Sequence, residues 1–295
     1  MRMTDSPSQS AGPDHPFRII GPDAPASPVL LSVPHAGRDY SDALLKAARL
    51  PRAMLESLED RLVDRLVWRA AAAGSTAIVA TVPRAEIDLN RDEREIDPAT
   101  ILPSPAAADI LQSARTRGGL GLVPSRIAGA GALWRHRLPA SELRRRIAEV
   151  HRPYHAEVDA RMQAIRARFG IAILLDCHSM PPRDGGRVEP RIVIGDRHGT
   201  SSGGEYTAAA EAAARAAGFE TARNAPYAGG YVTERHGRPN EGLHALQLEI
   251  DRSLYLAAGL RAPGPGFERI AELIENVVAA LGRQALEPPM PIAAE

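Results

Sequence analysis

The residues of this chain best suited to chemistry stand just beyond its apolar runs. Ile171-Ala172-Ile173-Leu174-Leu175 leads into Asp176-Cys177-His178-Ser179, which reads as a buried strand that leaves its sheet carrying polar side chains. Alternation sends Asp176 and His178 to one side, where a carboxylate can fix an imidazole tautomer or share its ion. The same alternation turns Cys177 away and favours a small buried hydrophobe over a thiolate nucleophile. A second run, VLLSV, ends in Pro34-His35-Ala36-Gly37-Arg38. Proline stops the ladder, histidine follows at once and glycine permits a tight turn. If the two strands are parallel, His35 and His178 share the sheet edge where open α/β folds bind ligands.

Other groups have the right types to join them. Arg84, Asn90 and Arg91 in RAEIDLNR form a fork for an anionic group, or a solvated loop held by pairs among Arg91, Asp92, Glu93 and Arg94. Asp60 and Asp64 fall at i, i+4 on an expected helix, where like charges oppose each other unless a metal or an arginine offsets them. In Leu246-Gln247-Leu248-Glu249-Ile250, Gln247 and Glu249 share a face opposite the apolar residues. Burial there would raise the glutamate pKa and suit a general base, whereas an edge strand would leave it solvated. His151 and His155 occupy one helix face, as a metal pair or as packing. The turn NAPYAGGY at 224–231 allows close backbone approach to a ligand, but no Walker motif or GxGxxG accompanies it.

The elements that must position these residues alternate. Strands are expected at Pro28–Val33, Ser75–Val82, Ile171–Leu175, Arg191–Ile194, Phe219–Ala222 and Leu246–Ile250. Helices are expected over 55–70, 143–165 with a bend near His151 imposed by Pro153, 204–217 and 267–281. This order predicts a single α/β domain over 17–283 with a mixed, largely parallel sheet flanked by helices. Residues 98–132 read as a long excursion over the site. The Pro- and Ala-rich ends, 1–16 and 284–295, are expected to be poorly ordered. Lysine plus arginine equals aspartate plus glutamate at 36 each, so no global field draws nucleic acid or an anionic membrane. One cysteine, no signal-like leader and no long apolar run predict a cytoplasmic protein in a reducing compartment.

Taken together and in order, PHAGR, EDRLVDRL, RAEIDLNR, RPYH, DCHS, GDRHGTSSG, NAPYAGGYVT and LQLEIDRSLYL resemble the N-formylglutamate amidohydrolase family over about residues 17–282. That family is distantly similar to zinc carboxypeptidases and aspartoacylase-like deacylases. The resemblance implies a mixed α/β sheet with one zinc ion and release of formate and glutamate from N-formylglutamate, the type reaction in histidine degradation. It implies His35 and His178 at the metal, Asn90 and Arg91 on the substrate carboxylate and Glu249 as the catalytic base. Where the relatives carry a glutamate ligand three residues after the first histidine, this chain has Arg38. Asp60 is the candidate replacement. Arg84 is the candidate cation at the oxyanion, and Arg191 or Tyr231 the candidate for the side-chain carboxylate. Two other readings use the same residues: a zinc-dependent hydrolase of another N-acyl amino acid, and a metal-free binding protein.

Overall fold

The apolar runs form the strands of a seven-stranded sheet, because short runs rich in β-branched and aliphatic residues pack well on a pleated surface covered on both faces, and the ladder pairs their buried backbone groups. The computed structural model describes residues 15–183 and 189–287. The strands of its main sheet are β1 (Phe17–Ile20), β2 (Val29–Val33), β3 (Thr76–Ala80), β4 (Ala172–Met180), β5 (Ile192–Gly195), β6 (Thr221–Arg223) and β7 (Leu243–Asp251). Their order across the sheet is β1-β3-β2-β4-β7-β5-β6. The central four, β3, β2, β4 and β7, run parallel, while β1 on β3 and β5 on β7 are antiparallel. The sheet is thus mixed and mostly parallel. Strand β1 was not expected: it is four residues long and only half buried, too short to show a period.

Alternation divides the central strands between two hydrophobic layers. Leu31, Val33, Leu175, Cys177, Leu246 and Leu248 face one layer. It is built with short helices α1 (Val63–Leu66) and α2 (Trp68–Ala72), then α4 (Gly204–Ala216) and α6 (Phe267–Leu286). Leu30, Leu174 and Ala245 face the other, under α3 (Arg152–Phe169). Helix α6 continues past the expected end at Leu281 and through Gln284. The other residues expected to lack order, 1–14 and 288–295, lie outside the described part.

Two expected helices differ in form. The stretch 55–70 is broken at Leu62, which adopts φ 63, a left-handed conformation that costs a leucine about 1–2 kcal/mol. The break turns the carbonyl of Asp60 to the Val63 amide and lets the Asp60 amide reach the His35 carbonyl at 2.9 Å. Asp60 and Asp64 therefore do not share a helix face. Arg38 and Arg18 take Asp64, Arg38 by two bonds of 3.0 and 2.7 Å, while Asp60 points to the histidines. Ahead of Pro153 the expected bend is a π-helical turn over Ile147–His151, closed by the Arg152 amide on the Ile147 carbonyl. Among the described residues, no helix is long and apolar enough to cross a membrane.

Candidate metal centre and active-site cavity

Because β2, β3, β4 and β7 are parallel, their carboxyl ends open at one edge. Register then sets neighbours: Ser32 and Gln247 flank Asp176, and Glu249 pairs with His178. All lie on the face covered by α3 deeper in the sheet. At the edge this face is roofed by the loop after β3 and by the excursion, which is zipped to that loop through Asp88 N–H to Leu122 O and Leu122 N–H to Glu95 O, both 2.7 Å. The result is a cavity of about 270 Å³ lined by His35, Asp60, Arg84, Asn90, Arg91, Arg115, His178, Tyr227, Glu249 and Arg252, among others. Gly37 matters for close approach: a Cβ there would lie 2.0 Å from the Val82 carbonyl oxygen, so only glycine lets the His35 segment nest against the end of β3.

The centre of the cavity is a convergence of lone pairs. His35 Nε2 lies 2.7 Å from Asp88 Oδ1, and His178 Nε2 lies 2.7 Å from Asp176 Oδ2. Carboxylates only accept, so each Nε2 carries the proton and each Nδ1 is bare in the neutral ring. The two bare atoms face each other at 3.1 Å, and Asp60 Oδ2 lies 3.2 Å from one and 3.0 Å from the other. Three acceptors cannot converge in a buried space without a proton or a cation between them. Ligands at about 2.0–2.1 Å from a four-coordinate zinc stand roughly 3.4 Å apart, close to these separations. The donor set therefore fits a divalent ion, with Asp88 and Asp176 orienting the rings from behind. Among the described residues, His35, Asp60 and His178 are the one such cluster of three.

Electrostatics follow from burial and these contacts. Burial alone would raise the Asp60 carboxyl, but the imidazoles of His178 and His35, which donate to it whenever a proton sits on Nδ1 in place of a cation, hold it well below its ordinary range. Its other oxygen accepts from Ser179 Oγ and Arg252 Nη2, both at 3.1 Å. His178 is disfavoured as a cation by burial, yet Asp176 and Asp60 raise it well above the usual imidazole value. The same anionic surroundings favour a metal ion. Glu249, 7% exposed, is lifted to about 7 by burial, opposed by His178 and reinforced by Asp60. It accepts from Gln247 Nε2 at 2.8 Å. Since β7 lies inside the sheet, the solvated edge-strand alternative for Glu249 does not hold.

The structure brings most of the expected residues together and separates two. Arg84 donates through Nε to Asp88 at 2.8 Å. Asn90 Oδ1 accepts from the Val232 amide at 2.9 Å, with Gly230 so close that a Cβ would lie 2.2 Å from that oxygen. Arg91 donates to the carbonyls of Leu120 and Asn90, so the solvated-loop alternative fails for it. Arg191 and Tyr231 do not line the cavity. Antiparallel β5 begins beside the end of β7, so Arg191 pairs with Asp251 and Ser253. Tyr231 opens the short helix α5 (Tyr231–His236); its ring turns to His151 and His155, and its hydroxyl takes Arg235. The neighbouring Tyr227 faces the cavity instead. His151 and His155 are not a metal pair: their Nε2 atoms bond the carbonyls of Arg91 and Leu89, bracing the loop on either side of Asn90. Cys177 is buried, and burial drives its thiol pKa up.

Sequence reasoning missed Asp88, Arg252, Tyr227 and Arg115. The first two lie inside the RAEIDLNR and LQLEIDRSLYL blocks, two residues before Asn90 and three after Glu249, and period-two alternation could have flagged Asp88. Arg115 carries no local signal.

The chain is similar to known proteins of one family. A sequence model described as N-formylglutamate amidohydrolase matches residues 27–256. The chain is 31% identical over 267 residues to a Pseudomonas aeruginosa protein named N-formylglutamate deformylase, covering 88% of this chain and 91% of that one. It is 30% identical over 241 residues to a Pseudomonas putida protein of the same name, covering 78% and 82%. The crystal structure of N-formylglutamate amidohydrolase from Ralstonia eutropha matches with a TM-score of 0.82 and 32% identity over 92% of this chain and 97% of that one. A gene product of Agrobacterium tumefaciens shares the fold, with a TM-score of 0.58 and 20% identity over 90% and 94%.

Proposed function

The chain belongs to the N-formylglutamate amidohydrolase family, and from that premise we propose that it hydrolyses N-formyl-L-glutamate to formate and L-glutamate, using one divalent metal ion, zinc in our reading. The observation that carries the metal is the meeting of His35 Nδ1, His178 Nδ1 and Asp60 Oδ2 within 3.0–3.2 Å, each ring held from behind by a buried carboxylate. An ion held by these three residues supplies Lewis acidity and makes water nucleophilic near neutral pH.

The remaining roles fall to this chain's own residues. Glu249 takes the proton of the attacking water and returns it to the departing amine, a cycle that a carboxyl poised near 7 can run in both directions. Arg84, anchored by one nitrogen to Asp88, offers its other nitrogens to the oxyanion developing on the formyl carbon. Asn90 and Arg91 hold the α-carboxylate. With Asn90 Oδ1 committed to Val232 and one Nδ2 hydrogen making a long bond of 3.5 Å to Gln247 Oε1, the second Nδ2 hydrogen is the donor left for substrate, and the buried Arg91 adds charge. The working unit is residues 17–283, and the lone buried cysteine suits a cytoplasmic setting. The deciding measurement is bound zinc and formate release from N-formylglutamate on one preparation made without chelator. Stoichiometric zinc with formate release supports the reading. Formate release from metal-free protein removes the metal, and zinc-loaded protein that cleaves only other N-acyl amino acids removes the substrate.

A further inference from the structure

N-formylglutamate carries two carboxylates, and the residues above grip one. Four arginines line the cavity, and three are committed within the protein: Arg84 to Asp88, Arg252 to Asp60, Ser179 and the Ser57 carbonyl, and Arg91 to two backbone carbonyls. Arg115 differs. Among the described residues its guanidinium has neither an ion pair nor a hydrogen bond, although it lines the cavity. Its backbone is fixed, in a short helix capped by Ser113 and joined to the site through Leu120. The Leu120 amide donates to the Arg115 carbonyl at 2.8 Å, and the Leu120 carbonyl accepts from Arg91 Nε at 2.8 Å. The two positive charges feel each other. Burial lowers Arg91 to about 10; Asp88 opposes this, Arg84 and Arg115 add smaller lowering contributions, and Glu95 opposes them. Arg91 Nε lies 3.9 Å from Asp88 Oδ2 and 3.8 Å from Glu95 Oε2. Among the described residues, the exposed Arg115 is therefore the cavity arginine left without a carboxylate, and an unpaired guanidinium at a cavity wall is a receptor for one.

We infer that Arg115 is a specificity-determining residue that receives the side-chain carboxylate of the substrate, so that the cavity selects N-formyl amino acids with a second acidic group. This rests on the deformylase reading. The test compares wild type with Arg115→Gln on N-formylglutamate, N-formylglutamine and N-formylaspartate, reading kcat and KM for formate release. Arg115→Gln is expected to lower kcat/KM for N-formylglutamate about 10- to 100-fold, mainly through KM, the scale of one charged hydrogen-bonded pair. N-formylglutamine should change less than about threefold, and Arg115→Lys should restore part of the loss. Equal losses on the glutamate and aspartate substrates would mark a long-range field and overturn the clamp, because only the longer side chain makes the contact. An active wild type whose glutamate preference survives Arg115→Gln overturns this inference alone. A wild type that releases formate from none of the three defeats the deformylase reading and this inference with it.

Discussion

Replacing Glu249 by glutamine should cripple the enzyme and stabilise the protein in the same variant. The carboxyl is buried beside Asp60, and its pKa stands at about 7 against an ordinary 4.5. A group raised in the folded state contributes its full stability below the unfolded value and loses it as pH climbs through the folded one. Above about pH 7 the native protein therefore holds a buried charge that costs about 3 kcal/mol, an order-of-magnitude figure from the shift. Glutamine keeps the shape and can accept the Gln247 hydrogen bond without the charge. In protein stripped of metal by chelator, Glu249→Gln should therefore gain up to about 3 kcal/mol in denaturant unfolding at pH 8 and less than about 1 kcal/mol at pH 5. Formate release should fall at least about a hundredfold. In wild type, kcat/KM should drop about tenfold per pH unit on the acid side of the Glu249 titration. Near-normal turnover in the variant would reassign the base, and lower stability at pH 8 would show that the carboxylate is not an uncompensated buried charge.

Other changes separate the remaining roles. His178→Ala should abolish zinc retention and activity together, and a fully active, metal-depleted variant would take the metal out of the account. Asp88→Asn and Asp176→Asn should each weaken zinc binding about 10- to 100-fold in a competition titration; unchanged affinity in both would mean the rings are not set from behind. Arg91→Ala should raise KM for N-formylglutamate sharply with a smaller effect on kcat, and an unchanged KM would place the carboxylate elsewhere.

The sequence revealed the site where local rules and tertiary structure coincide. His35 follows β2 and His178 lies at the polar end of β4, each just beyond an apolar run, and parallel strands bring such residues to one edge without further information. Asp60 was singled out as half of a repelling pair on a helix. That helix does not exist, because Leu62 breaks it, and the two carboxylates part company, Asp64 to arginines and Asp60 to the histidines. The substitution of Arg38 for a ligand also finds its account here, since it binds Asp64 and ties the His35 segment to the turn that presents Asp60. What failed depended on direction and path. Arg191 could be placed only by knowing that β5 runs antiparallel, and Tyr231 only by knowing that the Val232 amide is taken by Asn90. Arg115 reaches the cavity because hydrogen bonds from the 88–95 segment pull the excursion inward, and no periodicity records such bonds.

One constraint nevertheless governs both the core and the chemistry. Along β4, Leu175 and Cys177 enter the layer under α1, α2, α4 and α6, while Leu174 enters the layer under α3. On that second face, beyond the reach of α3, the same alternation delivers Asp176 and His178. Strand β7 repeats the pattern, with Leu246 and Leu248 in the first layer and Ala245 in the second, followed by Gln247 and Glu249. A slip of one residue in either strand would bury polar groups in the first layer and replace the site residues, putting Cys177 or Ser179 in the place of His178, or Leu248 or Ile250 in the place of Glu249. The hydrophobic pattern that fixes register thus also aligns the imidazole of His178 with the carboxylate of Glu249. For this reason, the central part of the site is legible from apolar spacing, whereas the specificity wall, built from irregular chain, is not.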